Sequence, residues 1–84
     1  DEAMAMYQKA LEIYLETLGE RHSSVGDTCY NMAFGKEKMG DFEQAAELFE
    51  RCVTCYSNAY GEHHEETVDA QDQLVRMRKL ITTP

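Results

Sequence analysis

Cys52 and Cys55 are spaced as Cys-x-x-Cys, and His63 and His64 follow them in the chain. Thiolates and imidazoles are zinc donors, and paired cysteines at this spacing also carry thiol–disulfide exchange. Both chemistries ask for more than these residues supply. A zinc site needs further donors converging on one point, and adjacent histidines rarely aim at a single ion. A redox pair gains its reactive thiolate at a helix N-terminus, whereas Cys52 and Cys55 fall in the middle of a helical pattern. Cys29 and Cys52 lie on apolar stripes, where Cys acts as a small hydrophobe. The count of three cysteines is odd and their surroundings are helical, so they are read as packing residues in a reducing, cytoplasmic setting. No metal or other cofactor is expected.

The histidines also belong to a repeated string: GERHSSVGDT from Gly19 to Thr28 and GEHHEETVDA from Gly61 to Ala70. A string that returns in this way is read as the junction between repeating structural units. Gly19 and Gly61 are expected to end helices, and Ser23, Ser24, Glu65 and Glu66 to supply N-cap hydroxyls or first-turn carboxylates to the helices that follow. His22 and His64 are expected to pack or hydrogen-bond across the hairpin junctions. No nucleophile–base pair, phosphate-binding glycine loop or isolated carboxylate dyad appears, so no catalytic residue is assigned and the chain is read as non-enzymatic.

Sixteen acidic and eight basic residues give a net charge of -8, the wrong sign for gripping a phosphate backbone, so nucleic acid is not an expected partner. No apolar run approaches the roughly 20 residues of a membrane span. The 84 residues make one small soluble unit, near the lower limit for a self-sufficient core. The chain opens at Asp1 without an initiator Met, so it is expected to be a piece of something longer.

Helical periodicity predicts four elements. Ala3, Tyr7, Ala10, Leu11, Tyr14 and Leu18 recur at three- and four-residue steps over residues 1–18. Val25, Cys29, Met32, Ala33 and Met39 mark residues 24–39, closed by Gly40 as a left-handed terminator. Residues 42–59 carry Phe42, Ala45, Ala46, Phe49, Cys52, Val53 and Tyr56. Residues 66–81 carry Val68, Leu74, Val75 and Ile81, a stripe interrupted by Gln71 and Arg78. No segment alternates with period two long enough to argue for a sheet.

From Gly19 to Gly61 is 42 residues (61 minus 19). At that offset Ala3 meets Ala45, Tyr14 meets Tyr56, His22 meets His64 and Asp27 meets Asp69, while Tyr7 with Phe49 and Leu11 with Val53 agree in kind. A period of this size holding two helices indicates a helical solenoid, here cut out of phase so that only residues 24–59 form an intact hairpin.

The stretch TCYNMAFGKEKMGDFEQAAELFERCV resembles a tetratricopeptide repeat, with Cys29, the Met32-Ala33 pair, Gly40-Asp41-Phe42, Ala45, Phe49 and Cys52 in the family's places. Lys36 replaces a usual aromatic. The longer period and the string KALEIYLETLGERHSSVGDT are similar to the repeats of kinesin light chains, with Ser23 where a Pro is usual. The resemblance implies an all-α fold of antiparallel hairpins stacked as a right-handed solenoid of about four helices. It also implies a concave face lined by the first helix of each pair, which receives a peptide or partner protein. On the helix of residues 24–39 that face carries Asp27, Tyr30, Asn31, Phe34 and Lys38. The helix of residues 66–81 adds Asp69, Asp72, Gln73, Arg76 and Leu80. Lys38 and Arg76 are its only cations, too few for the basic carboxylate clamp of chaperone-binding members.

The function expected is a protein-interaction scaffold. The alternatives are a structural spacer or a non-catalytic array attached to a signalling enzyme. Met4, Met6 and Leu15 at one end, with Leu74, Met77 and Ile81 at the other, are expected to be partly uncovered and to promote self-association.

Overall fold

A computed structural model describes residues 2–17 and 22–82. Four helices follow one another: α1 (Glu2–Thr17), α2 (Ser23–Lys38), α3 (Phe42–Tyr60) and α4 (Glu65–Thr82). No strand occurs among the described residues, and no helix there is long and apolar enough to cross a membrane. The expected end of the first helix at Leu18 and its terminator Gly19 lie outside the described residues.

Each connection is built by residues suited to it. The chain leaves α2 through Met39 and Gly40, whose φ of 81° is a left-handed conformation that costs Gly little. Asp41 then caps α3, its carboxylate accepting from the Gln44 N–H at 3.2 Å. Gly61, at φ 98°, ends α3.

The histidines of the repeated string cap the next helix. His22 Nδ1 accepts from the Ser24 N–H at 3.1 Å, and His64 Nδ1 accepts from the Glu66 N–H at the same distance. The serine hydroxyls therefore do not serve as the N-cap acceptor of α2, because the imidazole one residue earlier already fills that role. Glu65 and Glu66 do occupy the first turn of α4. His64 also stacks on Tyr60 with ring centroids 4.5 Å apart, which joins the end of α3 to the start of α4.

Each helix packs on its sequence neighbour, α2 with α3 most extensively. Val25, Cys29, Cys52, Cys55 and Tyr56 form one buried cluster with Leu11, Met32 and Ala70. Ala33, Ala45, Phe49, Leu74 and Met77 form the second. Two close approaches depend on glycine. A Cβ on Gly26 would lie 2.7 Å from the Tyr56 ring and 3.2 Å from Cys55 Cβ, whereas one on Gly35 would meet only the flexible sulfur end of Met4.

Three apolar expectations are overturned. The inward face of α4 is Thr67, Ala70, Leu74 and Met77, while Val68 (42% exposed), Val75 and Ile81 face outward. The stripe is rotated because α4 packs back onto α3, and Thr67 can enter the core by donating its hydroxyl to the Gly61 carbonyl at 2.8 Å. Leu74 and Met77 are consequently core residues and not an uncovered end. Met39, assigned to the α2 stripe, is exposed at the C-cap. At the other end Met6 is 72% exposed, and Met4 and Leu15 are half-buried.

Candidate partner-binding face

The two helices assigned to the concave face are tied side by side by their own polar groups. Tyr30 on α2 donates its hydroxyl to the Asp69 carboxylate on α4. One helical stretch further on, Glu37 forms a two-pronged ion pair with Arg76, the second prong at 2.8 Å. Both links span 39 residues, one short helical step less than the 42-residue repeat, so α2 and α4 are offset by nearly a turn where they meet. Gln73 supports the pair by accepting from Arg76 Nε at 3.0 Å. A third bond runs within the central hairpin, from the Tyr56 hydroxyl to Asp27.

These contacts shift the chemistry of the groups that make them. Burial, followed by the bond to Asp69, pushes the Tyr30 hydroxyl above the ordinary tyrosine range. Burial and the bond to Asp27 do the same to Tyr56. The hydrogen bond from Arg76 holds the Glu37 carboxyl below its usual range, and Glu37 in turn raises the guanidinium. Cys52 is fully buried, and that burial pushes its thiol up, so it lacks the thiolate character a redox centre requires. No disulfide joins Cys29, Cys52 and Cys55, and among the described residues no group of three or more potential ligands could hold a metal.

The nine residues assigned to partner binding thus separate into two sets. Asp27, Tyr30, Asp69, Gln73 and Arg76 are engaged in the polar links just described. Phe34 is half-buried, packed edge-on to Tyr30 at 4.9 Å and to Phe49 at 5.2 Å, so part of its ring joins the packed seam. Asn31, Lys38 and Asp72 are exposed and take part in none of these contacts. Leu80, placed on the same face, is 41% exposed.

Asn31 is where the surface opens. Two depressions of about 340 and 400 Å³ meet beside it in the groove between α1 and α2. Tyr7 and Asn31 line both; Tyr14 and Asp27 wall the first, Phe34 and Lys38 the second. The contribution of α1 was not anticipated from the sequence. The available signal was the 42-residue correspondence, which makes Tyr7, Ala10 and Tyr14 the counterparts of the core residues Phe49, Cys52 and Tyr56.

The family model described as tetratricopeptide repeat matches residues 1–24 and 25–66. No curated protein and no solved structure matches.

Proposed function

Because the chain belongs to the tetratricopeptide repeat family, a family of protein-interaction modules, we propose that it is a non-catalytic scaffold segment that receives a peptide or partner protein along the exposed side of α2, where the groove to α1 opens beside Asn31. The observation that carries this reading is the position of Asn31, an exposed amide with two donors and an acceptor, at the junction of the two depressions between α1 and α2. An amide so placed can bond an extended backbone, while Tyr7 and Phe34 offer apolar contact and Lys38 a positive charge. Nucleic acid and membrane are not proposed as partners: the net charge of -8 repels phosphate, and no helix among the described residues is long and apolar enough to cross a membrane. The buried, unbridged thiols support a reducing, cytoplasmic setting.

The test is a selection from a displayed peptide library, with the selected peptides measured by fluorescence anisotropy against Asn31→Ala and Lys38→Ala. The reading expects a shared motif whose binding weakens by about 1 kcal/mol or more in at least one variant. Selected peptides indifferent to both changes would refute this location.

A further inference from the structure

Two of the three helix starts that follow a connection are capped by an imidazole nitrogen, and the third by a carboxylate. His22 Nδ1 accepts from the Ser24 N–H and His64 Nδ1 from the Glu66 N–H, each at 3.1 Å. Each histidine also opens its helix through the backbone, the His22 carbonyl accepting from the Val25 N–H at 3.0 Å and the His64 carbonyl from the Val68 N–H at 2.9 Å. At the start of α3 the same task falls to Asp41, which accepts from the Gln44 N–H.

The two kinds of cap respond differently to protons. An Nδ1 that accepts must be bare, so each of these rings carries its proton on Nε2. An imidazolium has a proton on both nitrogens and accepts at neither. Protonation therefore breaks the cap bond, returns an amide to the unsatisfied set at the helix N-terminus and sets a cation against the positive end of the helix dipole. Carboxylates of ordinary acidity do not change charge between pH 5 and 8, whereas imidazoles do.

The charges around the two rings are unequal. His64 is stacked on Tyr60 of α3, and in the chain it stands between Glu62 and His63 on one side and the first-turn residues Glu65 and Glu66 of α4 on the other. A cation there gains the tyrosine face and the carboxylates, which offset part of the lost cap. The first turn of α2 has no carboxylate, and in the chain His22 follows Glu20 and Arg21, whose charges oppose each other. The greater loss thus falls on α2.

We propose that His22 and His64 form an acid-sensitive pair of caps: protonation of the two imidazoles uncaps α2 and α4 while α3 stays capped, so the junctions that begin both helices loosen together. The sign follows from the loss of an acceptor. The stability that the caps contribute is present above the ordinary imidazole value of about 6.5 and is lost as the pH falls below it, because the unfolded chain then takes up more protons than the folded one.

The experiment melts the 84-residue chain at pH 7.5 and 5.5, followed by circular dichroism, beside a double variant His22→Asn/His64→Asn and a control His63→Asn. Asparagine caps a helix well and does not titrate. The parent chain is expected to melt at least about 4 °C lower at pH 5.5, the shift that the loss of one cap gives in a domain of this size. The control should keep that shift, and the double variant should lose at least half of it. Should the double variant fail to melt cooperatively, His22→Asn alone is expected to remove the larger part and His64→Asn the smaller.

A parent chain that melts at the same temperature at both pH values would overturn the proposal. So would a shift that survives in both single variants and the double variant, or one abolished by His63→Asn, which would assign it to another group. A nitrogen-15 imidazole spectrum of the parent chain at pH 7.5 checks the geometry without any substitution. Both rings are expected to show a bare Nδ1, and an Nδ1–H at either would overturn the proposal there.

Discussion

The Tyr30 hydroxyl on α2 is bonded to the Asp69 carboxylate on α4, and Asp69 is the repeat counterpart of Asp27, which receives the Tyr56 hydroxyl. One acidic position is thus used twice, once within a hairpin and once between hairpins. Two tyrosines and two aspartates thereby tie three of the four helices together, and three of them, Asp27, Tyr30 and Asp69, are residues that sequence reasoning assigned to a ligand. Tyr30→Phe is expected to lower the unfolding free energy by about 1 kcal/mol while retaining the helical circular dichroism spectrum, as measured by urea denaturation.

Both hydroxyls should also titrate late. Their folded ionisation lies above the usual tyrosine range, so the stability they contribute is complete below about pH 10 and is lost as pH rises further, through their folded values. Ultraviolet titration should show tyrosine ionisation delayed above that range and coincident with loss of helicity. Full ionisation near pH 10 with the fold intact would contradict the bonds.

Glu37 gives the opposite sign. Its carboxyl is held low by Arg76, so the stabilisation is present above the unfolded value near pH 4.3 and disappears as pH falls through the lower folded one. The pair is partly exposed, with side-chain exposures of 43% and 23%, so Glu37→Gln should cost only about 0.2–1 kcal/mol at neutral pH. That difference from the parent chain should vanish in strong acid.

The two helical glycines of α2 should respond differently to alanine. Gly26→Ala forces a methyl into the Tyr56 ring and should destabilise by about 1–3 kcal/mol despite the gain in helix propensity. Gly35→Ala meets only the end of the Met4 side chain, so the propensity gain of up to about 1 kcal/mol should leave it neutral or stabilised. Thermal melts of the two variants check the contrast.

The three thiols should resist labelling by a disulfide reagent in the folded chain, because Cys29, Cys52 and Cys55 are at most 1% exposed. All three should react at once in denaturant. Rapid native labelling of Cys52 would revive the redox reading that its burial argues against.

Fold and site differed in how far the sequence revealed them. The helices were legible because their apolar spacing and glycine terminators act locally. Gly40 and Gly61 took the positive φ their positions required. The rotation of α4 was not legible, because Thr67 scores as polar until the Gly61 carbonyl that satisfies it is in place. The capping role of His22 and His64 was hidden by the commoner cap residues beside them, and the Asp41 cap went unread although Gln44 three residues on was an available signal. That Tyr30, Phe34 and Arg76 make contacts within the chain was not legible, since a ligand contact and a contact between neighbouring helices ask for the same side chains.

The most direct test of the central claim is a nitrogen-15 amide spectrum of the chain, recorded with and without a library-selected peptide. The account predicts the largest shifts at Tyr7, Asn31 and Lys38, around the groove between α1 and α2, with the Tyr30–Asp69 region less affected. Shifts confined to the exposed α4 side of Val68 and Val75, or none at saturating peptide, would contradict it.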